Sequence, residues 1–171
     1  SGLTHFTESV NTSAPNVTVP VVRLLATNAA TNVDVALSPK GSGALTGNVA
    51  DNTLSGGNKR GTYAVDWQLN RSAANQVASG NWSVLSGGAG NVSSGLYSTV
   101  GGGWFNQATN QHAVVGGGEG NSATAAASSV LGGSGNIASG QYSAAVSGWV
   151  NTASGGYSNI TGGDHNTTSG S

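Results

Sequence analysis

Gln76, Asn91, Asn106, Asn121, Asn136, Asn151 and Asn166 stand 15 residues apart, and each opens a variant of the same phrase. A strict period this short predicts stacked coils that touch only their neighbours, a solenoid rather than a globule around one central core. With positions numbered 1 to 15 from each of these residues, position 3 is small throughout (Ala78, Ser93, Ala108, Ala123, Ala138, Ala153, Thr168). Position 8 is small as well (Ser83, Ser98, Ala113, Ser128, Ser143, Ser158). Position 10 is the one aliphatic row: Leu85, Val100, Val115, Val130, Ala145, Ile160. Positions 12 and 13 are Gly-Gly except at Ser147-Gly148. Position 7 varies: Trp82, Tyr97, His112, Ala127, Tyr142, Tyr157.

Side chains alternate along an extended chain, so positions 8 and 10 share a face. This predicts a strand over positions 6 to 10 and a second short strand over positions 2 to 4, both pointing small or aliphatic residues inward. The Gly pair turns the chain where a positive φ or a close backbone approach is needed. The Gly content and the missing 3.6-residue apolar stripe exclude helix from 76–171. The expected fold is all-β, a parallel β-roll or solenoid of 15-residue coils. One coil offers its interior about one aliphatic and two small side chains, little to set against the entropy of ordering it. Several copies are therefore expected to pack laterally, with a cyclic homotrimer as the closed solution.

The phrases "NVSSGLYSTVGGGWF" and "NIASGQYSAAVSGWV" resemble the head repeats of trimeric autotransporter adhesins, and similar repeats occur in phage and virus tail-fibre proteins. "VDVALSPKGSGAL" and "GGNKRGTYAVDWQLNRSAANQVASG" are more similar to the fibre type. The resemblance implies a trimeric left-handed parallel β-roll, an extracellular place on a virion tail fibre or a bacterial cell surface, and a part in host-cell attachment. It is specific for architecture and weak for partner.

Ahead of the repeats the chain reads differently. Residues 1–54 are expected to form a small β unit with one or two hairpins, from the β-branched "NVTVPVVRLLAT" and from strands on either side of Pro39-Lys40-Gly41. Residues 55–75 read as a transition. "GTYAVD" there parallels "GLYSTV" in the repeats, which suggests a degenerate coil with a four-residue insertion. Lys59, Arg60, Asp66 and Arg71 cluster in this stretch, either as a site for an acidic ligand or as ion pairs that seal the first coil or join chains. Residues 76–171 are the repeat solenoid, and the repeat opened by Asn166 is expected to continue beyond residue 171.

Chemistry is sparse. There is no Cys, so disulfides and thiolate metal sites are excluded, and only 6% of residues are charged. No basic residue lies after Arg71, which argues against a nucleic-acid partner. No apolar run is long enough for a membrane span. In the repeats the carboxylates are Glu119 and Asp164, both at position 14 and three coils apart, roughly 14 Å. A glycosidase pair needs about 5 to 9.5 Å, so no catalytic residue is assigned. His5, His112 and His165 have no metal-ligand spacing, and no cofactor is expected. The Asn row is read as a ladder of side chains hydrogen-bonded along the stack, the other reading being a polar face for a glycan. Trp104, Phe105 and Trp149, just after the Gly pair, are the candidate ligand contacts; they would either stack on a surface glycan or protein or pack between chains. The expected function is a structural and adhesive segment of a trimeric fibre. The alternatives are a passive spacer carrying a receptor-binding tip beyond residue 171, and a polysaccharide-degrading tailspike.

Overall fold

The computed structural model describes residues 6–11, 21–26 and 36–170, with side chains from residue 36 onward. The chain divides into two compact units, Ser1–Ser38 and Pro39–Ser171. In the first, β1 (Phe6–Asn11) pairs antiparallel with β2 (Val21–Ala26), in register from Phe6 opposite Ala26 to Asn11 opposite Val21. Residues 12–20 and 27–35 of the expected N-terminal β unit lie outside the described residues. The turn expected at Pro39-Lys40-Gly41 is present: Gly41 has φ 59° and the Gly43 amide donates to the Lys40 carbonyl. The strand after it, β3 (Leu45–Thr46), pairs in parallel with β4 (Val65–Asp66), so the ladder begins well ahead of the regular repeats.

The second unit is a parallel β-solenoid, with no helix among the described residues. One six-stranded ladder joins positions 2 and 3 of successive coils, from Val92–Ser93 to Thr167–Thr168. An eight-stranded ladder joins positions 9 and 10, from Leu45–Thr46 to Asn159–Ile160. A third line of single-residue parallel bridges runs along position 14, through Asn70, Ala89, Trp104, Glu119, Ser134, Trp149 and Asp164. Positions 6 and 7, expected to open the strand over positions 6 to 10, form a turn instead. The cause is local: every described position-7 residue has a positive φ, between 53° and 61°, which an extended strand does not accommodate.

Positions 3, 8 and 10 face inward. Ala108, Ala113, Val115, Ala123 and Val130 are all fully buried in a single chain. The interior is narrow enough for the hydroxyls of Ser93 and Ser98 to meet across it at 2.8 Å. At position 8 the hydroxyls of Ser83, Ser98 and Ser128 donate to the carbonyl of position 5 and close the corner, at 2.7, 2.8 and 2.8 Å, while those of Ser143 and Ser158 are buried without a partner. The inward rows are thus closed without a second chain, and any association between copies uses the outward rows.

The Asn row is internal. Asn91, Asn106, Asn121, Asn136 and Asn151 are fully buried. The Asn121 amide nitrogen donates to Gly117 of its preceding turn and to Gly133 of the next coil, both at 2.9 Å. Its carbonyl oxygen accepts the backbone N–H of Asn136 at 2.9 Å. The same pattern repeats along the row, so each side chain ties two coils together and satisfies backbone groups that the turn leaves open. At the N-terminal end Gln68 replaces the missing Asn, its side chain accepting from the Asn91 N–H at 2.7 Å and donating to the Gln76 carbonyl at 2.9 Å.

The two glycines of each pair are not equivalent. At position 13 an added Cβ would lie 2.1 Å from a carbonyl oxygen of the next coil, as at Gly88, Gly133 and Gly148, and φ is positive. At position 12 a Cβ on Gly87, Gly102 or Gly132 would meet nothing within 4 Å. This is why the one departure from Gly-Gly, Ser147-Gly148, falls at position 12.

The coil ahead of the regular repeats is longer. Val65 pairs with Val84 and Asp66 with Leu85, a 19-residue step that confirms the four-residue insertion. Asp66 thereby enters the aliphatic row, fully buried, and Arg60 donates to it at 2.7 Å. Arg71 folds back from the insertion, donating to the carbonyls of Ser55, Gln68 and Gln76. Burial and then the Arg60 charge lower the pKa of its guanidinium from the ordinary arginine value. Arg60, Asp66 and Arg71 are therefore buried over the first coils; Lys59 alone of the cluster is exposed, and with Arg60 it lines a depression of about 260 Å³.

Candidate functional site: two aromatic corners

The sequence-selected residues lie on the corner at positions 14 and 15. The backbone there is locked: the position-15 N–H donates to the position-14 carbonyl of the preceding coil, Phe105 to Ala89 at 3.0 Å and Val150 to Ser134 at 2.9 Å. This sets φ at 54° for Phe105 and 52° for Val150, where Gly90, Gly120 and Gly135 sit in other coils. Each bulky residue uses the glycine beneath it. A Cβ on Gly90 would lie 3.0 Å from the Phe105 ring, and a Cβ on Gly135 would lie 3.4 Å from Val150. Phe105 is consequently half-buried, while Trp104 and Trp149 are 52% and 54% exposed.

Trp104 and Phe105 touch edge to face with centroids 4.9 Å apart. Trp149 is three coils away and pairs with His165 at 4.8 Å, whose Nδ1 contacts the Asp164 carboxylate. The three residues do not form one cluster. Two depressions flank Phe105. One, about 280 Å³, is bounded by Asn70, Arg71, Ser72 and Trp104. The other, about 360 Å³, is walled by Gln76, Ser79, Ser94, Gln107 and Thr109. Phe105 thus offers an apolar patch with Trp104 on one side and a wall of hydroxyls and amides on the other, an arrangement suited to a ligand with both C–H and O–H surface.

A second aromatic corner, at position 7, went unassigned in the sequence. Tyr63, Trp82, Tyr97 and His112 form a continuous column. The first two contacts are stacked at 5.7 and 5.1 Å, and the third is tilted by 60° at 5.3 Å. Tyr142 and Tyr157 resume the column at 5.1 Å, beyond Ala127. Tyr63, Trp82, Tyr97, Tyr142 and Tyr157 are between 43% and 75% exposed. The recurrence of Trp, Tyr and His every 15 residues was the available signal. Positive φ is uncommon for bulky residues, so the row gave no sign of being a turn.

Among the described residues, no group of three or more His, Asp or Glu side chains is placed to hold a metal ion. Glu119 and Asp164 sit on the position-14 line with two coils between them. No family model matches the sequence, and no curated protein matches it either.

Proposed function

We propose that this chain is a structural and adhesive segment of a trimeric fibre, placed outside the cell on a virion tail fibre or a bacterial surface and used in attachment to a host-cell surface. The observation that carries this reading is the pairing of a register-locked solenoid with exposed aromatic corners. The parallel ladders supply a stiff rod, and the corners supply surface that a spacer does not require. Trp104, Phe105 and Trp149 are the proposed contacts to a surface glycan or protein. The outward face of the longer ladder, with half-buried Val84 and Val114 and exposed Leu131, is the apolar surface on which copies would associate. The separation of Glu119 and Asp164 favours binding without cleavage.

The test combines mass and binding. Light scattering should give three times the 16.6 kDa chain mass, and a stable mass at 16.6 kDa would refute the trimer. Cell binding should fall in a Trp104→Ala/Trp149→Ala variant of unchanged mass. Undiminished binding would remove this corner from the reading. No binding by the parent protein would favour a passive spacer, and oligosaccharide release from host polysaccharide would favour a tailspike.

A further inference from the structure

The position-7 column is interrupted at one place, and the interruption has the dimensions of a ring. The backbone corner runs through it unchanged. Ala127 has φ 53°, its N–H donates to the Gln111 carbonyl at 2.9 Å, and the Tyr142 N–H donates to the Ala126 carbonyl at 3.0 Å. Only the side chain is absent. His112 and Tyr142 therefore stand two coil steps apart, roughly 9.6 Å at the usual strand spacing. Neighbouring rings elsewhere in the column sit 5.1 to 5.7 Å apart. A single ring midway between His112 and Tyr142 would lie about 4.8 Å from each, slightly closer than that spacing, and there is no room for two.

The surroundings describe the occupant. Half-buried Ala126 and Ala127 form the floor. Exposed Gln111 and Gln141 stand at position 6 beside the two walls and carry amide donors and acceptors to the rim. No charged residue occupies position 6 or 7 in these coils; the nearest in sequence, Glu119, is on the position-14 line. Both amides are exposed at the rim, and the Gln111 amide nitrogen lies 3.5 Å from the His112 ring nitrogen. An apolar ring would use neither amide, whereas a saccharide presents C–H faces to the ring walls and hydroxyls to the amides.

We propose that the gap over Ala126 and Ala127, between His112 and Tyr142, is a slot for one pyranose ring of a neutral glycan. The proposal rests on the adhesive reading for its biological use, but it is a separate site from the Trp104 corner. The slot supplies one sugar subsite, so affinity for single sugars is expected in the millimolar range.

The experiment is NMR titration of the intact protein with methyl glycosides of glucose, galactose and mannose, and with p-cresol as an aromatic probe. At least one glycoside should shift the Ala127 methyl and the His112 and Tyr142 ring signals. Ala127→Tyr, which supplies the missing ring at a position where Tyr is already accommodated, should keep the fold and weaken that sugar by about tenfold or more. The proposal is overturned if no glycoside shifts the Ala127 methyl, if p-cresol alone does so, or if Ala127→Tyr binds sugar as the parent does. Cell binding separates the two readings. If no glycoside enters the slot while cells bind the parent, the slot fails and adhesion stands. If sugar enters the slot while cells are not bound, the slot stands and adhesion fails.

Discussion

Single residues in this fold are constrained by the coil above them more than by their chain neighbours. The Gly132-Gly133 pair tests this directly. Gly133→Ala places a methyl 2.1 Å from the Gly148 carbonyl at a positive φ, so the coils must part. A loss of roughly 3 kcal/mol or more is expected, whereas Gly132→Ala, with open space, should change stability by about 0.5 kcal/mol or less. Equal effects in thermal melts would show that the next coil is not the obstacle. Asn121→Ala removes both donors and the acceptor for the Asn136 N–H, all at a fully buried position. The expected cost is about 3 kcal/mol. A repeat array need not unfold in one step, so hydrogen exchange is the better measure. The Asn136 amide should exchange faster in the variant, and unchanged protection would mean that the ladder is dispensable. These roles were legible only in part: the Asn ladder follows from the recurrence of Asn. The inequality of the two glycines does not, because it depends on which carbonyl of the neighbouring coil each Cβ meets.

At the scale of elements, strands of two residues hold together because each is one rung in a continuous ladder. The aliphatic row, the turn at the Gly pair and the inserted coil were readable from period and residue size. The line at position 14 was not, since a one-residue bridge leaves no alternation to detect. Nor was the turn at positions 6 and 7, where aromatic side chains occupy a conformation they seldom adopt. The site was less legible than the fold for the same reason: Trp104 and Trp149 were visible as aromatics, but the column at position 7 needed the corner geometry. The N-terminal plug is the element with the most at stake. Arg60→Ala leaves the buried Asp66 carboxylate without its cation and with only the backbone N–H groups of Gln68 and Ala78, and a loss of about 3 kcal/mol is expected, with the coils nearest residue 66 opening first. Val115→Asp puts a carboxylate into the same row, where neighbours Val100 and Val130 offer it no partner. It should open the middle of the stack, measured as exchange of the Val100 and Val130 amides. Protection equal to the parent in both variants would contradict the burial of this row.

As a whole molecule, the second unit is a stack in which each regular coil presents the same backbone pattern to the next, with Ser129 over Val114 and Ala144 over Ser129 in unbroken register. Removing residues 113–127 joins position 7 to position 8 and leaves every row in phase. That variant should fold, with His112 brought next to Tyr142 and the slot between them closed. A deletion one residue shorter should fail, because the side-chain period of two sends Val130 and its successors outward. Circular dichroism and melting of the two variants check the contrast, and equal behaviour would refute it. The regular part of such a rod therefore lengthens or shortens in whole quanta, and extra residues are taken up at a corner, as in the 19-residue coil. Recombination between repeats supplies those quanta without error, so the reach of the molecule can change in a single event while its cross-section, and the chemistry carried on each remaining coil, is inherited intact.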